Sequence, residues 1–223
     1  MKLIEYADRE ALAIDLANVL AGELENALLS HDRVSLAVPG GTTPGPIFDS
    51  LSAASLDWAR VQVMLTDERW VSPDHEMSNA GLLRKRLLVG PAAAAGFTPF
   101  FVDGLTAAEA SEDLSDTVAQ YLPLSVLVLG MGADMHTASL FPGSDGLAAA
   151  MAGDAPAVCP IHVAGQDIGR ITLSRPVLEG AMSTHVVIFG DEKRAALERA
   201  LTLPAHEAPI GAVLKEAVVH WAA

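Results

Sequence analysis

Apolar positions along the chain follow two alternating patterns, a helical spacing of three or four residues and short, largely apolar runs. From Asp8, an expected N-cap, apolar residues at helical spacing mark one face of a long helix that ends near Ser30. Val34–Val38 is a short apolar run of the kind that forms a buried strand. Similar runs predict further strands at Val61–Leu65, Ser125–Leu129, about Val158–Val163, Ile171–Leu173, His185–Phe189 and Ala217–Trp221.

Helical segments separate these strands. Thr43 and Pro44 have the chemistry of an N-cap and a first helical residue. Thr106 and Glu109 form a capping-box sequence that opens another helix. The predicted later helices are Ser78–Leu88, Thr106 to about Tyr121, and Asp191 to about Leu203.

Strands that alternate with helices are typical of right-handed βαβ units. The pattern predicts an α/β, Rossmann-like fold with a mainly parallel sheet flanked by helices. No linker-like stretch interrupts it, so we expect a single domain over residues 1–223.

Composition and charge narrow the classes of partner. The chain is 51% hydrophobic and only 5% aromatic, so its core must rest on Ala, Val and Leu. With 14 basic and 28 acidic residues the formal charge is −14, which argues against nucleic acid or an anionic membrane as a partner. A local cluster of basic groups could still bind a small anion, because charges are screened over about 8 Å.

The cysteine content and the N-terminus point to a location. Cys159 is the only cysteine, so we expect neither an internal disulfide nor a thiolate metal cluster. The N-terminal residues lack the apolar segment of a signal peptide, and no apolar run approaches the roughly 18 residues of a membrane span. We expect a soluble cytoplasmic protein.

Three polar segments directly follow predicted strands: PGGTTP at 39–44, TDERW at 66–70 and GMGADMHTASLFPG at 130–143. In open α/β sheets, ligands bind outside the carboxyl ends of the strands. We therefore expect the three segments to form one site.

The first segment is suited to binding an anion. Gly40 and Gly41 allow positive φ, which exposes backbone N–H groups beside the start of the next helix, and Thr42 and Thr43 extend the loop. An ordinary tight turn explains the same residues equally well. No Gly-Lys-Ser/Thr follows, so it is not a Walker loop.

The third segment begins like a dinucleotide fingerprint at Gly130 and Gly132 but has Met135 in place of the third glycine, so no nucleotide cofactor is expected. Histidine side chains titrate near pH 6.5, so His136 is a candidate base for water, with Asp134 to orient it. The alternative is a loop histidine that bonds a backbone carbonyl.

Other charged residues are ambiguous one at a time. Asp67 and Arg69 at a strand end also fit a surface ion pair of little energetic value. Arg170 precedes a strand, and Lys193 lies in the first turn of a helix, where a cation opposes the macrodipole. A bound anion would remove that conflict.

Signatures of other chemistries are missing. There is no GxSxG elbow, and the remaining histidines show no metal-ligand spacing, so we expect neither a serine nucleophile nor a metal site.

The segments PGGTTP, TDERW with Ser78-Asn79, LGMGADMHTASLFPG, GRITLS and GDEKRAAL occur in this order over nearly the whole chain. The series resembles the 6-phosphogluconolactonase family, within the sugar-phosphate isomerase/deaminase-like superfamily. The resemblance implies a metal-independent esterase of the oxidative pentose phosphate pathway that hydrolyses 6-phospho-D-glucono-1,5-lactone. Its site residues would be His136 as the general base, Asp67, Arg69 and Asp134 at the reacting end, and Gly40, Gly41, Thr42, Thr43, Arg170 and Lys193 at the phosphate.

The resemblance has two departures. Met135 takes the place of a usual glycine, so a different φ is expected there, and Pro39 replaces a serine and removes one N–H donor. Neither departure deletes a proposed catalytic group.

Two alternatives remain. A glucosamine-6-phosphate deaminase-like enzyme would carry an acid where this chain has Phe141 and a tyrosine where it has Arg69. A non-catalytic sugar-phosphate sensor usually comes fused to a DNA-binding segment, which the acidic charge opposes. The expected partner is a small sugar-phosphate lactone, with no cofactor, and the expected assembly is a monomer or weak homodimer.

Overall fold

The computed structural model describes all residues, 1–223, and contains a large parallel sheet and a small antiparallel one. The ten strands are β1 Lys2–Glu5, β2 Val34–Val38, β3 Val61–Leu65, β4 Asp67–Arg69, β5 Gly96–Thr98, β6 Val126–Gly130, β7 Val158–Ile161, β8 Arg170–Leu173, β9 Thr184–Phe189 and β10 Val218–Ala222. The large sheet has seven of these strands in the order β1-β10-β9-β6-β2-β3-β5, and every neighbouring pair in it is parallel. The predicted α/β fold with a mainly parallel sheet is confirmed.

Helices cover the faces of the large sheet. They are α1 Arg9–Leu28, α2 Gly45–Ser52, α3 Asn79–Arg86, α4 Ala107–Ala119, α5 Leu147–Ala150, α6 Arg175–Glu179, α7 Asp191–Ala200 and α8 Gly211–Leu214. Short 3-10 turns lie at Trp58–Arg60 and Gly90–Ala94. None of the helices has the length and apolar character needed to cross a bilayer.

Capping residues start two of these helices as predicted. The Asp8 carboxylate accepts a hydrogen bond from the backbone N–H of Ala11 at 2.8 Å. The Thr106 hydroxyl and the Glu109 carboxylate form both bonds of the capping box. Each cap satisfies N–H groups that the first helical turn would otherwise leave without partners.

The predicted cap at Thr43 was wrong. Helix α2 begins one residue later, with Pro44 in the cap position and no side-chain hydrogen bond. Thr43 instead lines a cavity at the end of β2.

The strand order places a crevice between β2 and β6. From β2 the chain builds outward through β3 to β5, whereas from β6 it builds in the opposite direction through β9 to β10. The loops that follow these two strands therefore diverge, which opens the crevice where ligands bind in this class of fold.

Two predicted strands do not belong to the large sheet. β7 and β8 pair antiparallel with each other, and β8 pairs antiparallel with β4. The sequence pattern missed this small sheet because an apolar run predicts a strand but not its pairing partner. Its register sets Arg69 opposite Arg170 and Asp67 opposite Thr172, next to the end of β3.

The core consists mainly of Leu, Val and Ala from the strands and from the inner faces of the helices. β2 and β3 are buried along their whole length, which explains their uninterrupted apolar runs. Two edge strands, β1 and β5, escaped prediction because three or four partly exposed residues carry little pattern.

Candidate functional site

A cavity of about 200 Å³ lies at the carboxyl ends of the central strands. All three polar segments reach it, as expected from their positions after β2, β3 and β6. The proposed site residues that line it are Gly40, Gly41, Thr43, Asp67, Arg69, His136 and Lys193.

The loop after β2 presents unpaired backbone donors. The N–H groups of Gly40, Gly41, Thr42 and Thr43 donate to no acceptor in the protein. Gly41 has a φ of 84°, a conformation that favours glycine. Successive free N–H groups in such a turn can bind an anion.

A second cavity lies on the other side of this loop. It has a volume of about 570 Å³ and is lined by Thr42 and Thr43 together with residues of α1 and α2. Thr42 therefore lines the second cavity and not the first. The second cavity is larger, but none of the charged or acid–base residues of the first cavity line it.

The His136 ring lies at the cavity with one nitrogen held by Asp134. Nδ1 of His136 is 2.5 Å from Oδ1 of Asp134, which also accepts the backbone N–H of His136. Because a carboxylate only accepts, Nδ1 must carry the hydrogen, and the lone pair is on Nε2. This pairing replaces the alternative of a histidine bonded to a backbone carbonyl.

Gly132 makes room for this pair. A Cβ atom on Gly132 would lie 2.2 Å from Nδ1 of His136 and 2.3 Å from Oδ1 of Asp134. The glycine is therefore required by close approach of the two side chains, and any larger residue would displace them.

The aromatic ring of Phe141 packs on the imidazole. The two ring centroids are 4.0 Å apart, at an interplanar angle of 27°. The guanidinium of Arg170 also lies over the Phe141 ring, 5.0 Å from its centroid. Phe141 thus packs beside His136 but has no titratable group that could take part in proton transfer.

Met135 adopts a φ of 67°, in the left-handed region that favours glycine. The methionine is accommodated in this conformation while its side chain packs against the core. Its backbone oxygen accepts the N–H of Ile210, which ties the histidine loop to the segment before α8.

Asp67 is held from behind by a buried network. Its Oδ2 accepts a hydrogen bond of 2.6 Å from the hydroxyl of Ser139, which is fully buried. Nη1 of Arg170 lies 3.4 Å from that hydroxyl and 4.0 Å from Oδ2 of Asp67. The carboxylate is therefore held by the Ser139 hydroxyl, with the charge of Arg170 behind it, while it lines the cavity.

Arg170 lies behind the cavity wall. It is 9% exposed, and Gln166 binds two of its nitrogens. Burial lowers the pKa of its guanidinium, Asp67 opposes that effect and Arg69 adds to it. Arg170 contributes positive charge close to the site without lining it.

Glu68 joins β4 to α3. Its carboxylate is fully buried and accepts three backbone N–H groups, from Arg69, Asn79 and Ala80, and the hydroxyl of Ser78. Burial raises the pKa of Glu68, and the backbone hydrogen bonds oppose this. The contacts fix the start of α3 against the strand that carries Arg69.

Lys193 gives the cavity an unpaired cation. It lies in the first turn of α7 and makes no ion pair with an acidic side chain. Together with Arg69 and the free N–H groups it makes the cavity locally positive in a protein of net charge −14. Such a site favours an anion despite the global charge.

Three neighbours of the site carried no role from sequence: Asn79, Ser139 and Phe141. Asn79 appeared in the sequence only as part of a motif, and Ser139 was given no role. Their contacts cross between segments that are distant in the chain, so no local spacing indicates them. No group of three or more His, Cys, Asp or Glu side chains is placed to hold a metal ion.

Comparisons with known proteins find relatives that match nearly the whole chain. The 6-phosphogluconolactonase of Caulobacter vibrioides is 38% identical over 220 residues, which cover 97% of this chain and 93% of that protein. The Pseudomonas aeruginosa 6-phosphogluconolactonase is 42% identical over 211 residues, covering 92% and 88%.

A solved structure is also similar. The crystal structure of a 6-phosphogluconolactonase from Shewanella baltica superposes with a TM-score of 0.96 at 34% identity, over 100% of this chain and 98% of that one. The family model described as glucosamine-6-phosphate isomerases/6-phosphogluconolactonase matches residues 7–221. The chain belongs to the glucosamine-6-phosphate isomerase/6-phosphogluconolactonase family.

Proposed function

We propose that this protein is a 6-phosphogluconolactonase, which hydrolyses 6-phospho-D-glucono-1,5-lactone to 6-phospho-D-gluconate in the oxidative pentose phosphate pathway. The observation that carries the proposal is His136, which lines a positively charged cavity with Nδ1 held by Asp134. The relatives that cover nearly the whole chain carry the same enzyme name.

His136 acts as the general base. Nε2 takes a proton from water as the water oxygen bonds to the lactone carbonyl carbon, which forms a tetrahedral intermediate. The ring C–O bond then breaks, and the imidazolium returns the proton to the departing ring oxygen. The product is the open-chain acid, and a positioned base of this kind contributes about 10²–10⁴-fold.

The remaining groups divide between the two ends of the substrate. Arg69 stabilises the negative oxygen of the intermediate, and Asp67 lines the same end of the cavity. Lys193 and the Gly40–Thr43 loop bind the 6-phosphate, and Arg170 adds positive charge from behind the wall. Phosphate binding orients the carbonyl for attack, so remote binding energy supports the chemical step.

The deaminase alternative is not favoured. Its acid–base system would place an acid beside the histidine, where the structure has the stacked ring of Phe141. The sensor alternative gives no role to the oriented pair of Asp134 and His136. Lactone hydrolysis gives a role to the charged side chains that line the cavity, Asp67, Arg69 and Lys193, and to His136.

We also propose that the chain is a single domain that works as a monomer or weak homodimer in the cytoplasm. Residues of a single chain bring the base, the cation and the free N–H groups together in one cavity, which supports function as a monomer. Cys159 is free, so no disulfide requires an oxidising compartment.

The test is a lactonase assay with freshly made 6-phosphogluconolactone. Product formation is followed by NMR or by coupling to 6-phosphogluconate dehydrogenase, against the spontaneous rate without protein. We expect rapid hydrolysis, poor activity on unphosphorylated gluconolactone, and no ammonia from glucosamine 6-phosphate. Ammonia release without lactone hydrolysis would establish the deaminase instead.

A further inference from the structure

Asn79, the first residue of α3, links three parts of the site. Its side chain is 2% exposed at the cavity wall. It contacts the guanidinium of Arg69, the backbone of Asp67 and the α-carbon region of Gly40. These contacts join the strand β4, the helix α3 and the loop after β2.

Both ends of the amide are used. Oδ1 of Asn79 accepts a hydrogen bond of 3.0 Å from Nη1 of Arg69, and Nδ2 donates to the carbonyl of Asp67 at 2.8 Å. The Met77 carbonyl accepts from the same Nη1 at 2.8 Å. Two oxygens thus fix one nitrogen of the guanidinium, whereas its buried Nε has no partner in the protein.

Gly40 packs directly on this amide. A Cβ atom at Gly40 would lie 1.8 Å from Oδ1 of Asn79 and 2.5 Å from Nδ2. The glycine is therefore required by the amide, and the amide in turn limits how close the loop can come to Arg69.

The backbone of Asn79 is also immobilised. Its N–H donates to Oε1 of Glu68 at 2.8 Å, and the same oxygen accepts the N–H of Arg69. One buried carboxylate therefore holds the main chains of the two residues whose side chains meet in the cavity wall.

We propose that Asn79 is a positioning residue that holds Arg69 in register with the Gly40–Gly41 loop, and thereby aligns the group that stabilises the oxyanion with the group that binds the phosphate. The inference rests on the proposed lactonase function. Asn79 acts through Arg69, so it is not itself a catalytic residue.

The chain offers a matched control in Gln62. Its buried amide donates to Thr98 at 2.8 Å and packs on Gly96, where a Cβ atom would lie 2.2 Å from Oε1. This arrangement repeats the environment of Asn79 at the β3–β5 edge, outside the cavity. Gln62→Ala should lower the unfolding temperature and leave turnover unchanged.

The experiment measures turnover of 6-phosphogluconolactone in a double-mutant cycle of Asn79→Ala and Arg69→Ala. Asn79→Ala should lower kcat by about 10–100-fold, because a displacement of about 1 Å has effects of that size. In the Arg69→Ala background the same substitution should lower kcat by less than about threefold. Equal losses in both backgrounds, or no loss in either, would refute the positioning role.

A second variant covers the case in which Asn79→Ala does not fold. Gly40→Ala removes no polar group but pushes a methyl group into the amide. We expect it to lower kcat by a similar factor while circular dichroism stays like that of the wild type. Wild-type kcat in folded Gly40→Ala would contradict the proposal.

A crystal structure of Asn79→Ala, or of Gly40→Ala, separates this inference from the proposed function. We expect the Arg69 guanidinium to leave its wild-type position. If it stays in place, Asn79 does not position it, whatever reaction the protein catalyses. If the wild type does not hydrolyse the lactone but the guanidinium moves, the proposed function fails and the positioning role stands.

Discussion

The cavity and a buried histidine network differ in whether their polar groups have partners within the protein. The network consists of Tyr6, Asp15, Glu23, His185 and His220, and it lies between α1 and strands β9 and β10. Both of its histidines are 1% exposed, and every ring nitrogen has a partner within the network. In the cavity, by contrast, Lys193 makes no ion pair and the loop N–H groups are free.

Hydrogen-bond contacts run through the whole network. The Tyr6 hydroxyl donates to Asp15 at 2.7 Å and accepts from Nδ1 of His220 at 2.9 Å. Nδ1 of His185 is 3.0 Å from Nε2 of His220, and Nε2 of His185 is 2.9 Å from Oε2 of Glu23 and 3.2 Å from the Ser183 hydroxyl. No ring nitrogen is therefore left for a ligand.

This difference shows which histidine is available for catalysis. His136 has one nitrogen fixed and the other on the cavity side, whereas His185 and His220 have both nitrogens engaged in structure. Residue type alone does not distinguish the three. The number of satisfied hydrogen-bonding atoms does.

The largest effect should come from His136→Asn. We expect it to keep the fold and the binding of 6-phosphogluconate but to lower kcat by at least about two orders of magnitude, since the base is lost. His206→Asn, a change at an exposed histidine, is the matched control. Near-wild-type turnover in His136→Asn would remove this residue from the base role.

Acid should lower the stability of the folded protein through this network. Burial, and then the neighbouring His185, lower the pKa of His220 to about 4, whereas an unfolded histidine titrates near 6.5. The unfolded chain therefore binds more protons between these values, and stability falls as the pH drops from about 6.5 towards 4. The loss is on the order of 3 kcal/mol.

Glu23 acts in the same direction. Burial would raise its pKa, but hydrogen bonds from His185 and Ser183 outweigh burial and lower it. Asp15 and Lys2 also act on His220, with opposite signs. Urea unfolding at a series of pH values measures this loss of unfolding free energy. His220→Gln should be less stable than the wild type at pH 7, and its unfolding free energy should depend less steeply on pH below 6.5. An unchanged slope in that variant would show that other groups set the acid limit.

Removal of the unpaired cation should have the next largest effect. Lys193→Ala should weaken 6-phosphogluconate binding by about 1.5–3 kcal/mol, the range for hydrogen bonds to charged groups. Calorimetry measures it, with Lys85→Ala on the exposed side of α3 as the control for lost charge. If both variants bind alike, Lys193 does not touch the phosphate.

Met135→Gly should have the smallest effect. Glycine relieves a left-handed conformation that costs other residues about 1–2 kcal/mol, but it also removes a side chain packed on the core. We expect a net change in unfolding free energy within about 1 kcal/mol and nearly unchanged kcat. Met135→Ala keeps the strain and loses the packing, so it should be less stable than Met135→Gly. The reverse order would show that strain at this position is negligible.

Local sequence patterns are sufficient to predict the alternation of strands and helices, and with it the strand ends at which functional groups lie. Uninterrupted apolar runs such as Val34–Val38 identify strands buried on both faces, and the caps at Asp8 and Thr106 locate helix starts. These features are local, because burial and capping are decided by neighbours within one or two turns of chain. The histidine loop was likewise identified by its position after a strand.

Which of these functional groups contact each other depends on the tertiary structure. The small sheet sets Arg69 opposite Arg170, and the amide of Asn79 joins β4 to a glycine of the loop after β2. The fold also leaves one ring nitrogen of His136 without a protein partner, whereas both ring nitrogens of His220 have one. Contacts between segments far apart in the chain depend on strand order and register, which the local pattern of apolar and polar residues does not encode.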